Sequence, residues 1–182
     1  MAWQIDNAHS SVQFSVRHMM ITNVRGEFER FSGDLNLNED DPTQSTVKVE
    51  IETASINTRE QRRDDHLRSA DFFDAATYPT MTYVSKQVVR TGDNTAKMIG
   101  DLTIKDQTRE VTLDVEFMGQ GKNPWGATVA GFNARGKINR KDFGLNWNVA
   151  LETGGWLVGD DINIAIELEV VKQAVTEAAA GD

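Results

Sequence analysis

The sequence predicts an all-β fold: short antiparallel strands that close into a barrel or pack as two sheets. Three observations carry this. Apolar residues recur at every second position through most of the chain, clusters of Gly, Pro, Asn and Asp cut these runs at short spacing, and one segment alone departs from the period. Alternation gives a strand one buried face and one wet face. That is antiparallel geometry, because strands buried on both faces read as continuous apolar runs. A length of 182 residues suits one domain.

The first strand is short, over 3–6. Residues 11–17 alternate Val12, Phe14 and Val16 with polar partners, and 24–31 and 34–38 follow on either side of Gly33. After Asp41-Pro42, residues 46–51 place Val47, Val49 and Ile51 on one face. The exception to the period lies at 58–70, which predicts a helix. Thr58-Arg-Glu-Gln61 reads as a capping box, and no Gly or Pro intervenes before Pro79. Only Leu67 and Ala70 are apolar there, so the helix belongs on the surface, pinned at its end by Phe72 and Phe73. Strands then return at 80–85, 88–91, 97–104, 110–117, 130–138, 145–151 and 162–170. The turn-formers between them are 92–94, 105–107, 119–121 and Gly154-Gly155. The domain spans 1–172, and 173–182 form a tail that reads as a short helix or a frayed end.

Closure would remove the exposed edges that invite aggregation. A barrel of about eight strands either fills with side chains or holds a small ligand. Inward positions mix small residues (Gly100, Ala130, Gly131, Ala134, Gly136) with large ones (Phe14, Phe28, Phe132, Trp147), which fits a filled core and a cavity equally.

Composition removes several function classes. The chain has 19 Lys and Arg against 28 Asp and Glu, for a net charge of −9. That balance disfavours nucleic acid and electrostatic docking on anionic membranes. Without Cys there is no disulfide scaffold, thiolate zinc site or cysteine nucleophile. The longest stretch free of charged residues is 123–134, too short for a membrane-spanning helix. The opening Met-Ala-Trp-Gln-Ile-Asp has neither a basic nor an apolar leader region. The expected location is therefore cytoplasmic, or periplasmic or secreted if an export segment has been removed.

Candidate chemistry is sparse. His9, His18 and His66 lack the spacing of a metal motif, and no GxSxG, GxGxxG or Walker sequence is present, so no metal or cofactor is expected. Arg59, Arg62, Arg63 and Arg68 are interleaved with Glu60, Asp64 and Asp65. They read as a solvated helix face, or as a place where Arg62 or Arg63 meets an anionic headgroup. Met19-Met20-Ile21 reads as a core or rim contact, and flexible Met suits a mouth that admits apolar chains.

Four ordered blocks then resemble the YceI-like, polyisoprenoid-binding family. They are Ile5-Asp-Asn-Ala-His-Ser10 with Phe14, His18, Val24-Arg-Gly-Glu-Phe28 and Gly33; Arg63-Asp-Asp-His-Leu-Arg-Ser-Ala-Asp-Phe-Phe-Asp74 with Tyr78-Pro79; Gly100-Asp-Leu-Thr-Ile104 with Thr108-Arg-Glu-Val111; and Asn139-Arg-Lys-Asp-Phe-Gly-Leu-Asn-Trp147 with Val158-Gly-Asp160. The likeness runs from about Trp3 to Lys172, with Asp106 standing where Gly is usual.

The resemblance implies a lipocalin-like antiparallel β-barrel with one surface helix near its opening. It implies a long-chain isoprenoid or related amphiphile held inside, no established catalysis, no metal, and a homodimer as in some members. On that reading His18, Arg63 and His66 sit at the mouth. Phe14, Val16, Phe28, Val49, Ile51, Tyr83, Leu113, Phe132, Phe143 and Trp147 line the interior, and Phe72 and Phe73 line the opening. The competing class is an enzyme acting on such a lipid, with His66 or Asp65 as general base.

Overall fold

The computed structural model describes residues 1–174; all but the first two residues of the expected tail lie outside them. Its eleven strands are β1 (Ala2–Ile5), β2 (Ser11–His18), β3 (Thr22–Phe28), β4 (Phe31–Asn36), β5 (Thr46–Glu52), β6 (Ile56–Asn57), β7 (Thr80–Arg90), β8 (Thr95–Ile104), β9 (Gln107–Lys122), β10 (Thr128–Asn139) and β11 (Val158–Lys172). One α-helix, α1 (Gln61–Arg68), lies between β6 and β7. All strand pairings are antiparallel.

The strands fill eight positions of a closed ring, because three positions are each shared by two successive strands. β1 and β2 lie along the same edge of β11, β1 against Val170–Lys172 and β2 against the stretch from Val158 to Glu167. Between them the chain bends at Asn7–His9, where the Asp6 carboxylate accepts the Ala8 N–H at 3.0 Å. Their partners bend in step: β3 pairs β2 while β4 pairs β1, and β6 pairs β3 while β5 pairs β4. β7, β8, β9 and β10 complete the ring, and the β1–β11 ladder closes it. The expected eight-position antiparallel barrel with one helix is therefore what the described residues form.

Five local expectations need correction. The turn expected at 119–121 lies inside β9, which pairs with β10 through Lys122, so the chain reverses at 123–127 instead. Residues 80–91 form one strand, β7, not two. The register shifts between Ser85 and Gln87, and this bulge breaks the apolar period without breaking the ladder. The 24–31 run ends at Phe28, and β4 begins at Phe31, because the chain bends between them. The helix starts at Gln61 with Glu60 as its N-cap, the Glu60 carboxylate accepting from the Arg62 and Arg63 N–H groups. Thr58 stands outside the helix and gives its N–H and hydroxyl to the buried Asp64 carboxylate.

Residues 145–151 are not a strand. After a 3-10 turn at Arg140–Phe143 and a left-handed Gly144, the chain runs irregularly to β11 with a single bridge between Ala150 and Trp156. Arg140 explains why. It is 2% exposed, and its guanidinium donates to the carbonyls of Leu145, Trp147, Val158 and Gly159. Gathering four carbonyls around one guanidinium bends the segment out of a straight ladder.

Inward glycines do not open space. A Cβ on Gly26 would strike the Phe14 ring, one on Gly100 the Tyr83 ring, and one on Gly136 the Leu113 side chain. Each glycine lets a large cross-strand neighbour lie flat against the wall.

Candidate functional site: the barrel interior

The wall nevertheless encloses a cavity of about 1050 Å³. This is the upper end of the range for small-molecule sites. A packed core leaves no such space, so the barrel is a container and not a plug.

The alternation that makes the strands also makes the wall. Phe14 and Val16 face in from β2, Val49 and Ile51 from β5, Tyr83 from β7, Leu113 from β9 and Phe132 from β10. Phe28 lines it too, packed against Phe14 and, edge-on, Phe73. The sequence reading passed over Met98, Val115, Ile162, Ile164, Ile166 and Leu168, which share the wall. The signal for the last four was present, since β11 carries the longest alternation in the chain. Phe143 is the correction among the expected lining residues. It is 1% exposed, lies in the packed core and does not line the cavity, because it ends a 3-10 turn rather than standing on the inward face of a strand.

The cavity reaches both ends of the barrel, and the two ends differ. At the helix end, His66 stands edge-on to Trp147, ring centroids 4.6 Å apart, and to Phe72 at 5.1 Å. The Asp71 carboxylate holds its Nε2 at 2.8 Å. Arg63 lines this end, but its Nε and one terminal nitrogen donate to the hydroxyl and carbonyl of Thr58, each at 2.7 Å. Arg63 thus holds the approach to α1 in place. Arg62 and Arg17 are exposed here and make no side-chain hydrogen bond or ion pair among the described residues; half-buried His18 completes the set. Buried Arg140 also faces this end; burial lowers its pKa, and Asp160 at 3.7 Å partly restores it.

At the opposite end the wall carries Glu39, Asp40 and Asp93 beside one cation, Arg90. Every lining carboxylate is at that end, so the tunnel is electrically polarised. Nothing in the local sequence signals this sorting, since which loops share an end depends on ring closure. In the middle, burial pushes the Tyr83 phenol up to about 12, and its hydroxyl meets the carbonyls of Met98 and Val111.

His9 lies outside the cavity. It pairs with Asp6 at 2.9 Å, with Glu169 3.9 Å away, and the Asp6 hydrogen bond raises its pKa. No helix among the described residues is long and apolar enough to cross a membrane.

A closed antiparallel ring around an apolar cavity, with polar groups gathered at its ends, defines a hollow β-barrel of the lipocalin-like type. Within that class the chain belongs to the YceI-like family, whose domain model matches residues 3–170. It is 40% identical over 168 residues to a UPF0312 protein of Staphylococcus epidermidis, covering 92% of this chain and 95% of that one. A Staphylococcus aureus UPF0312 protein is 42% identical over 169 residues, covering 90% and 94%. Among solved structures, BcnA of Burkholderia cenocepacia superposes with a TM-score of 0.78 at 27% identity, covering 91% of this chain and 98% of that one. The Campylobacter jejuni YCEI protein gives 0.74 at 34%, covering 87% and 90%. A polyisoprenoid binding domain from Saccharophagus degradans gives 0.68 at 15%, covering 95% and 99%, a likeness of fold.

Proposed function

We infer that this protein binds and carries a long-chain isoprenoid or related amphiphile, with the tail in the barrel and the headgroup at the helix end. The observation that carries this is the apolar cavity of about 1050 Å³ running the length of the ring. Each buried methylene contributes about 0.8 kcal/mol, so a twenty-carbon tail offers on the order of 16 kcal/mol gross. Lost translational freedom and tail ordering remove much of that. The wall is non-directional, so chain length is read loosely and the headgroup closely. Arg17, Arg62 and His18 suit a phosphate or carboxylate headgroup, and the acids at the far end repel one.

Organic extraction of the purified protein followed by mass spectrometry tests the reading. A co-purifying prenyl or acyl lipid, or uptake of added prenyl lipid, is the expected result; neither occurring would refute it. The enzyme reading is tested on the same material. Asp65 is exposed, pairs with Arg68 at 3.1 Å and does not line the cavity, which leaves His66. A His66→Asn variant that keeps its lipid but no longer changes it chemically would favour an enzyme.

A further inference from the structure

Two loops that are distant in sequence meet beside the helix end of the cavity and hold apolar side chains in water. One is the β2–β3 turn, with Met20 61% exposed and Ile21 73% exposed. The other is the 149–157 segment, with Trp156 56% exposed and Val149 also exposed. They are tied together. The Met19 N–H donates to the Leu157 carbonyl at 2.8 Å, the Leu157 N–H to the Val149 carbonyl at 2.9 Å, and Met20 Sδ rests on Gly155. The patch is continuous with the tunnel wall, since His18 pairs with Val158 and both, with Leu157, line the cavity.

The turn itself is an unusual choice. Met19 and Met20 both have positive φ, 50° and 62°. Hairpin turns with this backbone favour Asn, Asp and Gly, and bulky side chains are disfavoured there. Apolar residues stand where polar ones would fit the backbone better and would be at home in water.

Charge indicates what covers the patch. Residues 17–25 carry Arg17, His18 and Arg25 and no acid, and Arg62 lies across the same mouth. Glu152 is the single acid of the 149–157 segment, and of the two that follow it, Asp160 is paired with Arg140 and Lys141 and Asp161 with Lys137. Exposed Met, Ile and Trp, with Arg17 and Arg62 at the same mouth, match the interface of a phospholipid bilayer, where apolar side chains enter the acyl boundary and cations meet phosphates. A second copy docked on the same patch about a two-fold axis would set these arginines against each other.

We propose that the helix end of the barrel docks on a phospholipid bilayer through Met19, Met20, Ile21 and Trp156, so that the amphiphile passes between membrane and tunnel without crossing water. This rests on the reading of the cavity as a lipid site. The far end, whose wall carries Glu39, Asp40 and Asp93, then faces away from the bilayer. Neither Met20, Ile21 nor Trp156 lines the cavity, so docking and holding the lipid are separable.

Flotation with phosphatidylcholine vesicles containing phosphatidylglycerol tests the proposal. The doubly substituted chain Met20→Asp with Ile21→Asp should lose vesicle binding at least tenfold. It should slow transfer of a fluorescent prenyl lipid from vesicles to a similar degree. Asp tolerates the left-handed turn better than Met, so the melting temperature should hold. Trp125→Ser serves as the control, since Trp125 is 87% exposed on the β9–β10 turn at the opposite end. It should bind vesicles like the parent. Loss of binding in the Trp125→Ser variant alone, unchanged binding in the double variant, or no binding by the parent would overturn docking at this end. A short-chain prenyl phosphate titrated without vesicles separates the two readings. If the parent binds it but ignores vesicles, docking fails and the lipid site stands; if it binds no prenyl phosphate, the lipid site fails.

Discussion

Tyr83 and Gly100 show how one residue sets the shape of the wall. The Tyr83 ring lies over Gly100 so closely that a Cβ there would come within 2.6 Å of it. Gly100→Ala forces the ring off its two carbonyl partners into the cavity. The expected cost is about 1–3 kcal/mol, read by denaturant unfolding. The same burial that raises the Tyr83 pKa to about 12 has a consequence for stability at high pH. The unfolded phenol releases its proton near pH 10 while the folded one still holds it. The stabilising contribution is whole below pH 10 and is lost as pH rises through about 12. Absorbance of the phenolate should show a late step that Tyr83→Phe removes. A Tyr83 step at pH 10 in the folded protein would contradict the buried placement.

Among the elements, helix α1 and the 144–157 segment add buried polar anchors to their few apolar contacts. Asp64 is buried and accepts both polar hydrogens of Thr58, whose oxygens in turn accept from Arg63. Asp64→Ala leaves those donors without a partner and should cost about 2–3 kcal/mol, with α1 loosened first. Arg140→Met frees four carbonyls and should cost about 3 kcal/mol or more. Amide exchange should speed up across residues 144–157 well before the sheet opens. Exchange unchanged there would mean that Arg140 does not hold the segment.

These polar anchors are also where sequence reading stops. The strands with the strongest alternation were legible almost to the residue: 11–17 against Ser11–His18, and 46–51 against Thr46–Glu52. The observed ladders of β8, β10 and β11 run two to four residues further at one or both ends, because backbone pairing continues past the last apolar side chain. The lining was legible for the same reason, through inward Phe14, Val49, Leu113 and Phe132. Leu145, Trp147 and Val149 imitate that period in an irregular segment. Only Arg140 betrays the difference, and its partners are carbonyls, which carry no sequence. The split ring positions and the charged poles follow from long-range closure and leave no local trace.

At the scale of the whole molecule, a hollow barrel gives up close packing along its axis. A natural core fills that space and gains dispersion and hydrophobic stabilisation from it. The void is therefore a stability cost, and a substitution that fills it should stabilise the fold while it abolishes the site. Ala134 is the place to do this. It is half-buried, it faces the cavity from β10, and its ladder partners Val115 and Ile166 also line the wall. Ala134→Trp is expected to turn its ring into the cavity that Ala134 lines, where overpacking would not oppose it. The expected gain is on the order of 1–3 kcal/mol in denaturant unfolding. Retention of prenyl lipid after extraction should fall at least tenfold, because a tail can no longer pass the middle of the barrel. Destabilisation of this variant would mean that the wall is closed at this level. Full lipid retention in a stabilised variant would place the amphiphile outside the tunnel and would end the carrier reading, however well the barrel itself is preserved.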